Sequence, residues 1–504
     1  MKKNFSATIF MPLLFIFVHN SSAFALEGQI GIHDPSTIIF CDGKFYTYGT
    51  GGTSLVSDDG WTWRRGDPLP RRGLAPDVIH IGDKYLLYIA ANSGPTKADI
   101  NLLINKTLDS NSPAYKWEEG GVVASSDGVE DCNAIDPGIF LDPNTKRLWL
   151  TYGSYFGYTR LVELDPKTGK RLNDNAKPRN IAINSEASTM IYHDGWYYLL
   201  VTHGSCCRGA DSGYNIRVGR SKKVTGPFRD NMGVDMIQGG GKLFAGSSGR
   251  VIGPGHFGLF DLGNGVQRFS LHYEADLDRG GGSVLDIRPL LWRDGWLVAG
   301  ENLREGAYQI ESLRTGTSLE LAVEGFPVGG RPVRRGPPPG VSNTTPAPAN
   351  NVIPPTAAGG IFAGIGKPIP SQDVAEVSTK WPTGNIDVRM SNYMLQAQQK
   401  WKIEPVGNAG GYLGAPYFKI TIAGTDRTLT ATTGGELVAL PEFTGSPEQL
   451  WRFDQLADGS WRIMPKAIPN SNGPLVLSAV GSSFATLAKF DPLSEKQRWL
   501  INMP

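Results

Sequence analysis

Residues Asp34 to Gly49 read DPSTIIFCDGKFYTYG. An acidic start leads into a short apolar run, Asp42-Gly43 supplies a tight turn, and an aromatic-rich run returns. This is the pattern of a β-hairpin, because Asp-Gly accepts the positive φ of the turn while β-branched and aromatic residues fill the strands. The plan recurs four times: PDVIHIGDKYLLYIA from Pro76, DPGIFLDPNTKRLWLTYG from Asp136, EASTMIYHDGWYYLLVTHG from Glu186 and GPGHFGLFDLGNGVQRFSLHY from Gly253. The starts lie 42, 60, 50 and 67 residues apart. Each interval holds one hairpin and two further strands, the footprint of a four-stranded propeller blade. With helix signals scarce, the prediction is an all-β chain that opens with a five-bladed β-propeller over residues 26–326.

Composition narrows the function. The 504 residues carry 49 Lys+Arg against 48 Asp+Glu, a formal net charge of +1. Such a balance lacks the basic face that a general nucleic-acid binder needs. Lys2 and Lys3, the apolar run Ile9 to Val18 and the triplet Ala23-Phe24-Ala25 read as an export signal over residues 1–25. No later run is long and apolar enough to cross a bilayer, so a secreted or periplasmic protein without a membrane span is expected, as a monomer. Four cysteines, Cys41, Cys132, Cys206 and Cys207, are too few for a disulfide scaffold and lack paired zinc spacing. The adjacent pair Cys206-Cys207 reads either as a vicinal disulfide or as two small packed side chains.

In a propeller, the starts of the inner strands converge on the axis. Asp34, Asp136 and Glu186 therefore meet there, with Asp77 near the start of the second repeat. Clustered carboxylates repel one another, so at least one pKa rises, which suits acid/base chemistry. Glycoside hydrolysis uses such a pair, and a calcium cage is the other use of the same residues.

The residues around these acids resemble glycoside hydrolase family 43, in particular its endo-α-1,5-L-arabinanase branch. The resemblance runs from Gly28 to Arg293. It rests on His33-Asp34-Pro35-Ser36, Ala134-Ile135-Asp136-Pro137, Ser185-Glu186-Ala187, the run His203 to Gly209, the run Tyr214 to Ser221, Thr225-Gly226-Pro227-Phe228, Gly253-Pro254-Gly255-His256 and Ile287-Arg288-Pro289-Leu290. It implies Asp34 as general base, Glu186 as general acid and Asp136 as the residue that orients Glu186 and holds its proton by charge proximity. It implies an inverting single displacement on arabinan or a related pectic or hemicellulosic polysaccharide. His33, Asp77, Ser154 and Arg288 are the expected substrate contacts, although Arg288 fits a structural ion pair equally well. His256 is the expected ligand of an axial calcium whose shell is mostly water, and no organic cofactor is implied. Trp61, Trp63 and Trp117 read as sugar platforms or as blade packing. Leu74 stands where the arabinanases carry tryptophan, and Gly157-Tyr158 replaces small residues after Phe156. Exo-acting α-L-arabinofuranosidase, β-xylosidase and a non-catalytic sugar-binding propeller are the alternatives.

Composition changes after residue 326. Residues 327–369 are rich in Pro and small polar residues and read as a linker. Beyond it, Gln399-Lys400-Trp401, Gln449-Leu450-Trp451 and Gln497-Arg498-Trp499 repeat at spacings of 50 and 48. Threefold Q-x-W triplets in a strand-rich segment resemble the ricin-type β-trefoil. They imply a carbohydrate-binding-like domain over residues 370–504, with the triplets in its core.

Overall fold

A computed structural model describes residues 26–91, 94, 97–129, 131–323, 374–468, 471 and 473–504. The expected export signal and Pro-rich linker lie outside these residues. Among the described residues, no helix is long and apolar enough to cross a membrane.

Five antiparallel sheets follow one another in sequence. The first spans Glu27–Gly28 to Thr62–Arg65, and its edge pair is parallel. The other four each hold four strands in chain order. They run from Leu74–Ile81 to Glu118–Asp127, from Gly138–Leu141 to Arg179–Ile183, from Glu186–His193 to Lys242–Ala245, and from Ile252–Gly263 to Trp296–Ala299. We call them blades 1 to 5.

The packing explains why the hairpin sequences are apolar almost throughout. In a strand covered on both faces, alternate side chains serve different neighbours. In blade 4, Tyr197, Leu199 and Val201 pack toward blade 3, while Tyr198 and Leu200 pack toward blade 5. Blade 2 repeats the arrangement, with Tyr85, Leu87 and Ile89 toward blade 1 and Leu86 and Tyr88 toward blade 3. Hydrophobic clusters thus fill all five seams, including the one that closes blade 5 onto blade 1 through Leu285, Ile287, Phe45, Leu55, Trp61 and Trp63. Trp61 and Trp63 are 3% and 1% exposed, so they are seam packing and not sugar platforms. Trp117 also packs against a seam, between blades 1 and 2.

The propeller stops at Ala299. Gly306–Ser312 and Ser318–Leu321, expected to belong to it, pair with C-terminal strands instead. A division at residue 326 therefore falls inside the C-terminal sheet, whose first two strands precede the Pro-rich segment. The sheet has twelve strands in three sets of four: Gly306–Ser312 to Trp401–Pro405, Phe418–Ile422 to Trp451–Gln455, and Trp461–Pro465 to Trp499–Asn502. Equivalent bonds recur in each set. The indoles of Trp401, Trp451 and Trp499 donate to the carbonyls of Leu319, Leu429 and Leu477 at 2.8, 3.0 and 2.9 Å. The amides of Gln399, Gln449 and Gln497 donate to the carbonyls of Asn392, Glu442 and Lys489 at 2.7, 3.0 and 2.9 Å. This threefold plan is compatible with a trefoil.

A small hairpin, Gly411–Tyr412 with Ala415–Pro416, lies between the first and second sets and enters the closing seam of the propeller. Leu413 is fully buried there. Its N–H donates to the Asp59 carbonyl at 2.7 Å, and Gly414 N–H donates to the Gly60 carbonyl at 2.9 Å. Both glycines are required: a Cβ on Gly60 would lie 2.7 Å from Leu413 Cα, and one on Gly414 would meet Ile287 at 2.7 Å.

Candidate active site

Each blade bends its inner chain near the start with one residue in the left-handed region. These are Asp34, Ala75, Asp136, Ala187 and His256, with φ between 45 and 61°. The bend costs energy for any residue with a Cβ, least for Asp or Asn, and persists because the blade fixes it. It aims the side chains around it at the axis. The true equivalents are therefore Asp34, Ala75, Asp136, Ala187 and His256, with Glu186 one position before its bend and Asp77 two positions after. Alanine gives no signal of a left-handed bend, which is why the sequence aligned Asp77 with the other acids.

Asp77 takes no place among them. It is 3% exposed, and its two oxygens accept the backbone N–H groups of Thr37 at 3.0 Å and Ile139 at 2.9 Å. It ties blades 1, 2 and 3 together and is not placed to contact a substrate. Ser154 is fully buried. Its hydroxyl accepts Phe156 N–H at 3.4 Å. Arg288 pairs with Asp286, Nε to Oδ2 at 2.6 Å, the ion-pair alternative of the two expected for it.

Asp34 lies in a cage of imidazoles. Its Oδ1 is 3.4 Å from His256 Nδ1 and 3.8 Å from His272 Nδ1, and its Oδ2 is 3.4 Å from His33 Nε2. Thr50 donates its hydroxyl to Oδ2 at 2.6 Å. The backbone N–H of Asp34 donates to His272 Nδ1 at 3.0 Å, so His272 carries its proton on Nε2 when neutral. Burial brings the His272 pKa down to about 3 against the pull of Asp34, which keeps the ring neutral. Burial also disfavours the charge on Asp34, but hydrogen bonding and attraction from His256, then attraction from His33, outweigh it and hold this carboxyl well below its ordinary range.

Glu186 and Asp136 respond in the opposite sense. Glu186 is 5% exposed. Burial pushes its pKa up to about 7, with a further rise from the Asp34 charge and partial relief from the Tyr214 hydroxyl, which donates to Oε1. Asp136 also rises well above the carboxylate range, through burial first and then the charges of Glu186 and Asp34. Its Oδ2 accepts Ala187 N–H at 3.1 Å, which anchors it to the residue beside Glu186. The sequence expectation had the Asp136 charge holding the Glu186 proton. In the structure, the charges of Glu186 and Asp136 repel one another, which joins burial and the Asp34 charge in favouring the proton, and the bond to Ala187 N–H anchors Asp136 beside Glu186.

His33 lines the mouth of the site. Its Nδ1 lies 2.9 Å from Ser283 Oγ, which donates onward to Glu274 at 2.8 Å. Its ring stacks 4.5 Å from His272. The vicinal disulfide Cys206–Cys207 stands beside it, the two sulfurs 3.8 and 3.9 Å from Nε2, while Cys41 and Cys132 are buried thiols outside any disulfide. Tyr155 and Phe156 stack at 4.6 Å on the rim and are 42% and 50% exposed. The charges of Glu186 and Asp136 act on the Tyr155 hydroxyl, which places that ring near the pair. Thr50, His272 and the contact from Tyr214 to Glu186 were not anticipated. His272 sits in a strand run, Phe269 to Tyr273, that reads as blade core.

For a cation, the chain gathers His33, Asp34 and His272. His256 is not in that group; its buried Nδ1 faces Asp34 Oδ1 at 3.4 Å. A calcium shell needs six to eight oxygens, so an ion at His256 would have one imidazole from this chain and water for most of the rest.

The family model for glycosyl hydrolases family 43 matches residues 46–297, half of the chain. The chain belongs to this family. It is 34% identical over 280 residues to the extracellular exo-α-(1→5)-L-arabinofuranosidase ArbA of Cellvibrio japonicus, covering 49% of this chain and 80% of that one. It is 33% identical over 291 residues to the extracellular endo-α-(1→5)-L-arabinanase 1 of Bacillus subtilis, covering 53% and 86%. Among solved structures, an exo-1,5-α-L-arabinanase from a bovine ruminal metagenomic library matches with a TM-score of 0.51 at 32% identity, over 54% of this chain and 97% of that one. These matches cover about half of the chain. As a family 43 member, the protein is a glycoside hydrolase of the five-bladed class.

Proposed function

We propose that this family 43 hydrolase cleaves α-1,5-L-arabinofuranosidic bonds in arabinan by inversion in a single displacement. The observation that carries the reading is the opposite push on two axial carboxyls. Asp34 is held ionised, and Glu186 keeps its proton to about pH 7. Two carboxyls driven apart in this way divide the work of base and acid. Asp34 takes a proton from water as its oxygen attacks the anomeric carbon. Glu186 gives its proton to the departing sugar oxygen as the glycosidic bond breaks. Asp136 positions the Glu186 segment through Ala187 N–H. Thr50 and the imidazoles fix the Asp34 carboxylate, and Tyr214 fixes that of Glu186. A calcium ion at His256 would add fixed positive charge beside Asp34.

Arabinan as substrate rests on the names of the relatives, which include exo- and endo-acting enzymes at similar identity. Both are named extracellular, which supports export through residues 1–25. The C-terminal unit is read as a carbohydrate-binding module that tethers the enzyme to polymer.

The test is product analysis on linear debranched arabinan, wild type beside Glu186→Gln. Mixed short oligosaccharides early, from wild type alone, support endo action and the acid assignment. One small product from the start moves the reading to the exo class. No product from arabinan, aryl arabinoside or aryl xyloside overturns it in favour of a binding propeller.

A further inference from the structure

A concavity lies between blades 4 and 5, away from the axial carboxyls. Its lining includes Trp196, Arg220, Lys222, Lys223, Arg229 and Trp296. Glu186–His193 starts at the active-site end, so the turn that follows it, where Trp196 begins the returning strand, lies at the opposite end of blade 4. Asn215–Ser221 runs back to that same far end.

The cations here are arranged in a particular way. The Arg220 guanidinium lies 4.4 Å from the ring centres of both Trp196 and Trp296, and Lys222 Nζ lies 3.8 Å from that of Trp196. They donate to backbone carbonyls: Arg220 to Gly295 at 2.7 Å, Lys222 to Gly195 at 3.1 Å and Arg229 to Gly233 at 3.3 Å. Among the described residues, none of Arg220, Lys222, Lys223 and Arg229 has a carboxylate within ion-pair distance. The one acid in the lining, Asp230, is engaged by its own loop, accepting the N–H groups of Met232, Val234 and Gly241 at 2.9, 3.0 and 3.0 Å. Four cations therefore surround one hollow of about 530 Å³ without a negative partner. On a chain whose net charge is only +1, this is a local concentration of charge.

We propose that this hollow is a second binding site, for a polysaccharide segment that bears uronic-acid carboxylates. A uronate offers what the hollow lacks, a carboxylate for the Arg and Lys groups, together with C–H faces suited to a wall built on two tryptophans. Inorganic phosphate would supply the charge without the apolar face. The site rests on the reading of the enzyme as acting on polymeric carbohydrate. It would hold the propeller against an acidic stretch of polymer while the opposite end cleaves a neutral one, raising the effective concentration of substrate.

The experiment is affinity electrophoresis and calorimetry of the full chain with polygalacturonate, beside the Lys222→Ser/Lys223→Ser double variant and Arg229→Ser. Turnover of soluble arabino-oligosaccharide is measured in parallel. Wild type is expected to bind polygalacturonate in a salt-sensitive manner. The variants are expected to lose at least tenfold in affinity, with oligosaccharide turnover unchanged. Absence of polygalacturonate binding by wild type, or equal binding by all three proteins, overturns the proposal. So does preferential binding to duplex DNA or to vesicles of anionic phospholipid. Failure of the catalytic reading would appear separately, as absent oligosaccharide turnover in wild type.

Discussion

The two halves of this chain are both built by repetition, and they use it in opposite ways. The C-terminal unit repeats identical residues. Gln and Trp return three times, and each time the indole and the amide find the same backbone carbonyls. Every polar group named there is satisfied internally, so the repeat yields a core. The propeller repeats a backbone bend and varies what stands on it. Asp34, Ala75, Asp136, Ala187 and His256 share one conformation and hold different chemistry. Because the bends face a common axis, that variation collects an ionised carboxyl, two carboxyls that keep their protons, and imidazoles in one place. Repetition with identity makes structure here, and repetition with variation makes a site.

The sharpest way to break this contrast is to alter one residue of each kind. Glu186→Gln keeps the shape of the side chain and removes the acid. Turnover on arabinan is expected to fall by about 10²–10⁴-fold, with the fold intact by circular dichroism. Trp451→Ala should do the reverse. Emptying a fully buried indole site is expected to cost about 3–5 kcal/mol in denaturant unfolding, while turnover per folded molecule stays near wild type. If Trp451→Ala abolished turnover in folded protein, the two halves would not be functionally separable.

The pH dependence sharpens the same comparison. The acid must be protonated, so kcat/KM should decline as pH rises through about 7, where Glu186 titrates. The acidic limb should lie below the ordinary carboxylate range, where Asp34 gains its proton. Stability falls in the same direction at Glu186. Its folded pKa is raised, so the unfolded chain ionises first and the wild-type residue disfavours folding as pH climbs from about 4.5 to about 7. Glu186→Gln is therefore expected to stabilise the propeller at pH 8, by on the order of 1–3 kcal/mol, and to leave stability at pH 4 unchanged. Thermal melts at the two pH values read this directly. The smallest effect is expected at Asp77. Asp77→Asn places an amide opposite a backbone N–H and should cost about 1–3 kcal/mol of stability without moving KM. A rise in KM would restore the substrate role that the sequence suggested.

Much of this was legible before any coordinates. Turns marked by Asp or Gly and aromatic returns located all five blades, because hairpin chemistry is local. The Q-x-W triplets located the threefold unit for the same reason. What was not legible depends on distant pairing. Gly306–Ser312 looks like one more strand after blade 5, and only its partners Trp401 and Trp499 reveal where it belongs. A Pro-rich run reads as a domain break, yet here it separates two strands of one repeat. His272 and Asp77 show the limit within the site. A histidine inside an apolar strand and an aspartate beside a proline have the same local appearance whether they face the axis or a seam.

The hairpin around Leu413 has a consequence for how the molecule is assembled. The joint between the last blade and the first is bridged by the N-terminal segment, where Ile32 N–H donates to the Ser283 carbonyl at 3.0 Å and Leu285 N–H to the Ile30 carbonyl at 2.9 Å. The hairpin adds a second tie, and Gly411 N–H reaches the Asp59 carboxylate across 352 positions of chain at 3.1 Å. A ribosome has already made all five blades more than a hundred residues before it makes this clasp. The last tie across that joint is thus a late arrival in the life of the chain, and the part of the protein beyond the propeller acts as a fastener of the catalytic ring as well as its companion.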